Sequence, residues 1–200
     1  MPDLAFAIYE LLWLAIFAFA LAHSARKYGK GWTAAFFAPA VFWGFLLEFA
    51  SQEIFARYHY GGGFLVYALN VPLCISLAWA ALIYFGYVFA SHDLKIKNPL
   101  KAGVVAAIPL AAMDFFLFEP LAKIFGYWVW TPESVWFGSP LGNLYGWFFV
   151  VVLYVAAFVY LESVRGGWKK RLAFNFALIL PRLMVLIAIL QAWANLFGNL

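Results

Sequence analysis

Six apolar stretches, each closed by charge, glycine or proline, divide the chain at residues 4–23, 33–55, 64–90, 99–125, 140–161 and 172–196. A bilayer-crossing helix needs roughly 20 apolar residues, so each stretch is long enough to span. The pattern predicts an all-α polytopic bundle of six transmembrane helices, a single domain over residues 1–200. The first stretch has acids instead of a basic start, and no small-residue cleavage signal, so it reads as a retained span and not a signal peptide. With 67% hydrophobic and only 11% charged residues, the chain has too little charge for a water-facing shell. A lipid bilayer is the expected surround.

The charges that remain carry an orientation. Arg26, Lys27 and Lys30, then Lys95, Lys97 and Lys101, then Arg165, Lys169, Lys170 and Arg171 account for ten of the 13 Lys and Arg. They fall in the first, third and fifth connections, which a six-span count puts on one side. The positive-inside rule assigns that side to the cytoplasm, leaving both termini outside a prokaryote-like cell membrane. No basic face is left for nucleic acid. Cys74, the lone cysteine, excludes disulfide frameworks and cysteine-rich metal sites.

The two outer connections, 56–63 and 126–139, are rich in Tyr, Trp and Gly and resemble each other. A shift of 68 residues lays Tyr60 on Trp128, Pro72 on Pro140, Leu73 on Leu141 and Trp79 on Trp147. An acid pair five apart precedes each: Glu48 and Glu53, then Asp114 and Glu119. The expected organisation is a duplicated two-helix hairpin in parallel orientation, with copies at about 33–90 and 99–161.

Acids inside spans are costly and rarely kept without a partner or a task. At about 1.5 Å rise per residue, Glu48, Asp114 and Arg182 lie at similar depths. One reading is a structural ion pair of Arg182 with one of the acids; yet a single arginine cannot neutralise all four. Glu119-Pro120 is the sharper signal, because proline removes a backbone donor beside the carboxyl. A buried carboxyl that keeps its proton is a proton donor. Tyr58, Tyr60, Trp79, Tyr127, Trp128, Trp130, Trp136 and Trp147 gather on the outer side, whereas an interfacial belt should populate both sides equally; the inner side offers mainly Trp32 and Trp168. Electron-rich rings stabilise cations. Acid and rings together suit protonation of an alkene and capture of the carbocation.

Other chemistries fit less well. The last span has no lysine for a Schiff base, and His23, His59 and His92 fall at span ends. There is no H-E-x-x-H, P-loop or G-x-S-x-G, so neither metal nor cofactor is expected. A non-catalytic membrane module or small proton or cation transporter needs acids spread through the membrane depth. Glu10 and Glu162 extend them only toward span ends, and Glu162 sits three residues before Arg165, a helix-pair spacing.

Asp114, Glu119-Pro120, Gly126-Tyr127-Trp128-x-Trp130, Phe137-Gly138-x-Pro140, Asn143 and Gly146-Trp147 resemble the signature of a membrane carotenoid-biosynthesis family that includes the bacterioruberin-pathway and myxol-pathway hydratases. Glu48, Tyr58-His59-Tyr60, Val71-Pro72-Leu73 and Trp79 resemble it too, so the likeness covers roughly 48–154. The family's usual Asp-Pro is replaced here by Glu119-Pro120, which keeps the acid but alters its reach. The resemblance implies cofactor-independent hydration of the terminal C1,C2 double bond of an acyclic carotenoid or other long isoprenoid. Together with the cost of keeping acids inside spans, it leaves Glu48, Glu53, Asp114 and Glu119 as the candidate catalytic acids. Tyr60, Tyr127, Trp128, Trp130, Asn143, Trp147 and Arg182 are the candidate substrate-binding residues. Heterodimeric lycopene cyclases are distantly similar and share the protonation step, so cyclisation, and a homo- or hetero-oligomer, stay open.

Overall fold

The computed structural model describes residues 4–134, 136–164 and 166–197. The acid at position 3 and Arg165 of the third basic connection lie outside the described residues. Six helices are long and apolar enough to cross a membrane: Leu4–Tyr28, Lys30–Ile54, Leu73–Asp93, Pro99–Phe125, Leu141–Ser163 and Trp168–Leu196. The chain therefore fits a multi-pass membrane protein.

Local sequence explains most boundaries. Helix α1 (Leu4–Tyr28) stops at Gly29, whose φ of 85° is left-handed, and α2 (Lys30–Phe49) restarts at once. It runs on into a π-helical stretch, Ala50–Ile54. Helix α3 (Leu73–Tyr87) ends in another, Val88–Asp93. Helix α4 (Pro99–Met113) opens with Pro99 in its first turn and with the Asn98 side chain accepting the Lys101 N–H at 3.0 Å. A π-helical stretch, Asp114–Phe118, joins α4 to α5 (Glu119–Phe125). Pro120 lacks the N–H that an α-helix would aim at the carbonyl four residues back, so the wider turn falls where the sequence weakens the ladder. Helix α6 (Leu141–Ser163) completes the fifth span, and α7 (Trp168–Ala177) and α8 (Ile179–Phe197) share the sixth.

One boundary differs most from expectation. The third helix starts at Leu73, nine residues later than position 64, because the apolar segment before it forms a hairpin of β2 (Tyr67–Ala68) and β3 (Val71–Pro72). Proline disfavours helical conformation in the residue before it, and the turn at Leu69 has a positive φ of 55°. Glu10 of α1 accepts the Leu65 N–H at 3.1 and 3.0 Å and the Val66 N–H at 3.4 Å. Those donors would otherwise be unpaired at the rim of the bundle.

The second unanticipated pairing joins the two outer loops. Strand β1 (Tyr58–Tyr60) runs antiparallel to β4 (Trp128–Trp130), with Tyr58 opposite Trp130 and Tyr60 opposite Trp128. Thr131 N–H to Arg57 O at 2.8 Å and Gly61 N–H to Tyr127 O at 2.9 Å extend the ladder. At the opposite end the basic connections converge, with the Tyr28 and His92 rings 6.4 Å apart and Trp32 donating to Glu162 at 2.8 Å.

Helix α3 is the hub, with 72% of its apolar window buried against 22% for the first and last spans. Phe36 packs on its Tyr84 and Phe158 on its Tyr87, and Phe36, Tyr84 and Phe158 are all fully buried. Small residues set the spacing, as at membrane helix interfaces generally. A Cβ on Gly103 would sit 2.7 Å from the Val152 carbonyl oxygen, and one on Gly44 would sit 2.7 Å from Trp79 Cβ. Gly44 therefore seats Trp79 against α2, which matters for the site.

Candidate active site

The π-helical stretch at 114–118 and the β1–β4 ribbon bring three acids to one cavity of about 490 Å³. Glu48, Asp114 and Glu119 all line it and are 7%, 1% and 2% exposed.

Glu48 collects donors from its own half of the chain. Tyr58 and Tyr60 donate their phenols, the second at 2.5 Å, and Trp79 Nε1 donates to the other carboxyl oxygen at 2.5 Å. Desolvation, then the Glu48 charge, holds both strand phenols well above the ordinary tyrosine range, so they remain O–H donors. Glu119 is served in the same way by the other strand: Trp130 Nε1 at 2.8 Å and Trp128 Nε1 at 3.3 Å, both to Oε2. Alternate residues of a strand share a face, which is why positions 58 and 60, and 128 and 130, reach one acid each. Antiparallel pairing puts the two donor sets side by side on one face, with the Tyr58 and Trp130 rings 4.8 Å apart.

Asn143, in the first turn of α6, ties the second and third acids together. Its Nδ2 donates to Asp114 Oδ2 and to Glu119 Oε1, at 2.8 Å each. Asp114 Oδ1 is buried with no hydrogen-bond partner. Behind the acids Trp79 and Trp147 stack at 3.9 Å between centroids, so the tryptophans that the shift of 68 aligned are in contact. Asp114 thus has an unsatisfied oxygen, a bridging amide and a second carboxyl within one side chain's reach. That arrangement can move a proton without exposing it to bulk water.

Not all predicted residues join. Glu53 is exposed, accepts from Asn70 Nδ2 at 2.5 Å and lines a separate shallow depression. Sequence spacing pairs it with Glu119, but Glu48 is the acid that receives the strand donors as Glu119 does. Tyr127 turns away from the cavity: its phenol donates to Ala5 O at 3.1 Å and its ring packs on Phe6 and Tyr9. Trp136 stacks on Phe115 and donates to its carbonyl at 2.7 Å.

Arg182 corrects the expectation of an ion pair. It is 4% exposed, donates through Nη2 to Asn175 Oδ1 and lies 4.7 Å over the Tyr154 ring. Among the described residues the ion pairs are His92–Asp93 and Lys123–Glu133, neither in the acid cluster. Helix rotation gives the reason. Leu183, Leu186, Ile187 and Leu190 face the cavity; at about 100° per residue Arg182 falls at the edge of that arc, next to Leu186, where its guanidinium meets Asn175 and the Tyr154 ring.

Tyr9 and Trp13 of α1 also line the cavity, with the α8 stripe. Their sequence is plain apolar span, and only packing reveals them. Trp79 was visible through its match to Trp147. Among the described residues no group of three His, Cys, Asp or Glu forms a metal-ligand set.

The cavity has two kinds of rim. Arg57, Thr131 and Glu133 are exposed at the loop end, while Phe55 and Ile187, 44% and 38% exposed, border it at the helices. A family model described as carotenoid biosynthesis protein matches residues 5–199. No curated protein and no solved structure matches the chain.

Proposed function

The chain belongs to the carotenoid biosynthesis protein family, and from that premise we propose that it is a hydratase adding water across the terminal C1,C2 double bond of an acyclic carotenoid. The observation that carries the reading is the convergence of Glu48, Asp114 and Glu119 on one cavity, bridged by Asn143 and walled by tryptophan and tyrosine.

Asp114 is the proton donor, because its Oδ1 has no competing partner. The alkene π electrons take that proton at C2, leaving a tertiary cation at C1. Trp79, Trp128, Trp130 and Trp147 supply ring faces around the cavity, and Glu48 and Glu119 supply negative charge close by. A water oxygen then bonds C1. Its surplus proton returns to the Asp114–Glu119 pair, so the pair ends as it began and the product is a tertiary alcohol. No outside reductant or oxidant enters.

The two hairpins are read as copies of one ancestral unit, with the β1–β4 ribbon as their seam. The basic end is assigned to the cytoplasm and the loop end to the outer face, which gives the cavity its water.

Expression in a host that accumulates an acyclic carotenoid, followed by pigment mass analysis, tests the activity. A mass gain of one water is expected. An unchanged mass with shifted retention marks a cyclase and overturns the hydratase reading.

A further inference from the structure

The cavity holds about 490 Å³, within the range of roughly 300–1,000 Å³ that takes a drug-sized ligand. An extended carotenoid is comparable in length to the bilayer's hydrocarbon core, about 30 Å, so only its end fits. The rest of the chain must leave by one of the two rims. At the loop rim it would lie across the charges of Arg57 and of Glu133, whose carboxyl pairs with Lys123 at 2.5 Å, and an apolar chain gains nothing by desolvating charge. At the helix rim it meets Phe55 at the end of the second span and Ile187 on α8, both apolar, both lining the cavity and both open to the surround. Leu183, Leu186 and Leu190 line the same cavity as the acids. The wall is one-sided: Met184, on the opposite flank of α8, is 71% exposed and does not line the cavity.

Resting on the hydratase reading for the substrate's chemistry, we infer that the exposed apolar edge of the cavity, marked by Phe55 and Ile187, is a lateral portal. Through it a long acyclic isoprenoid enters from the bilayer, terminal double bond first, with its tail left lying in lipid. Lipid, unlike water, puts no penalty on the exposed apolar lips, so the portal can stand open without a lid. The loop rim is then left free for water.

Binding of an acyclic carotenoid to purified protein in detergent, read as induced circular dichroism in the visible band, tests this without requiring turnover. Ile187→Trp should raise Kd about tenfold by overfilling the portal. Leu190→Trp, one turn along the same stripe, should act in the same direction and serves if the first variant does not fold. Met184→Trp should bind like the wild type. Unchanged binding in both stripe variants, an equal loss in Met184→Trp, or no carotenoid binding by the wild type overturns the portal. Normal wild-type binding with no hydrated product removes the hydratase reading and leaves the portal standing.

Discussion

Glu48 and Glu162 are both carboxyls wrapped by aromatic donors, at opposite ends of the bundle. Glu162 accepts Trp32 Nε1 and Tyr87 Oη at 2.8 Å each, beside the basic connections. Glu48 accepts two phenols and an indole at the loop end. The donor chemistry is nearly the same; the surroundings are not. Glu48 shares its cavity with Asp114 and Glu119, whereas Glu162 does not line that cavity. A ring of indoles and phenols is thus a general way to seat a carboxyl in a membrane bundle, and by itself says nothing about reaction. What distinguishes the loop end is the second and third acid, the bridging Asn143 and the open volume.

That contrast sets the expected sizes of mutational effects. Asp114→Asn should be the largest, lowering hydration about 10²–10⁴-fold, the usual contribution of a general acid. Glu119→Gln keeps the shape of its site but cannot take back the proton, and should fall in the same range. Protein yield and six-span insertion should be unchanged in both, checked by purification and reporter fusions. Glu48→Gln comes next: three donors lose their anionic acceptor, and a loss of about 10–100-fold in kcat follows from one buried hydrogen-bonded charge. Trp130→Phe removes one of two indole donors from Glu119 and should cost about tenfold. Glu162→Gln should be smallest in turnover, within about twofold, while lowering Tm by about 2–4 °C. If Glu162→Gln reduces turnover as far as Glu48→Gln, the distinction between the two ends collapses.

The fold was legible where one physical signal sufficed. Stretches of the needed length gave six spans, and the fourth runs over 99–125 as its apolar stretch does. Glu119-Pro120 pointed to an opened helix, and a π-helical stretch ends just before it. Residues 64–72 misled, because hydropathy cannot tell an apolar hairpin from the first turns of a helix; Pro72 and the turn at Leu69 decide the matter locally. The candidate site was legible in its acids but not in its assembly. Tyr58 and Trp130 are 72 positions apart, and no local pattern announces that their strands pair. Arg182 was misread for a related reason: depth along a helix places a residue in a layer, but rotation decides which neighbour it meets, here Asn175 and Tyr154. The α8 wall is apolar along Leu183, Leu186, Ile187 and Leu190, and Gln191 is its one polar lining residue.

The most direct test of acid-initiated hydration is isotopic. Purified protein should be given an acyclic carotenoid in D₂O and, separately, in H₂¹⁸O, and the product analysed by mass and by NMR. One non-exchangeable deuterium at C2 and one ¹⁸O at C1 are expected, both lost in Asp114→Asn. Deuterium at C2 with no ¹⁸O would contradict water capture, and ¹⁸O incorporation that survives in Asp114→Asn would contradict the proton donor assigned to this cavity.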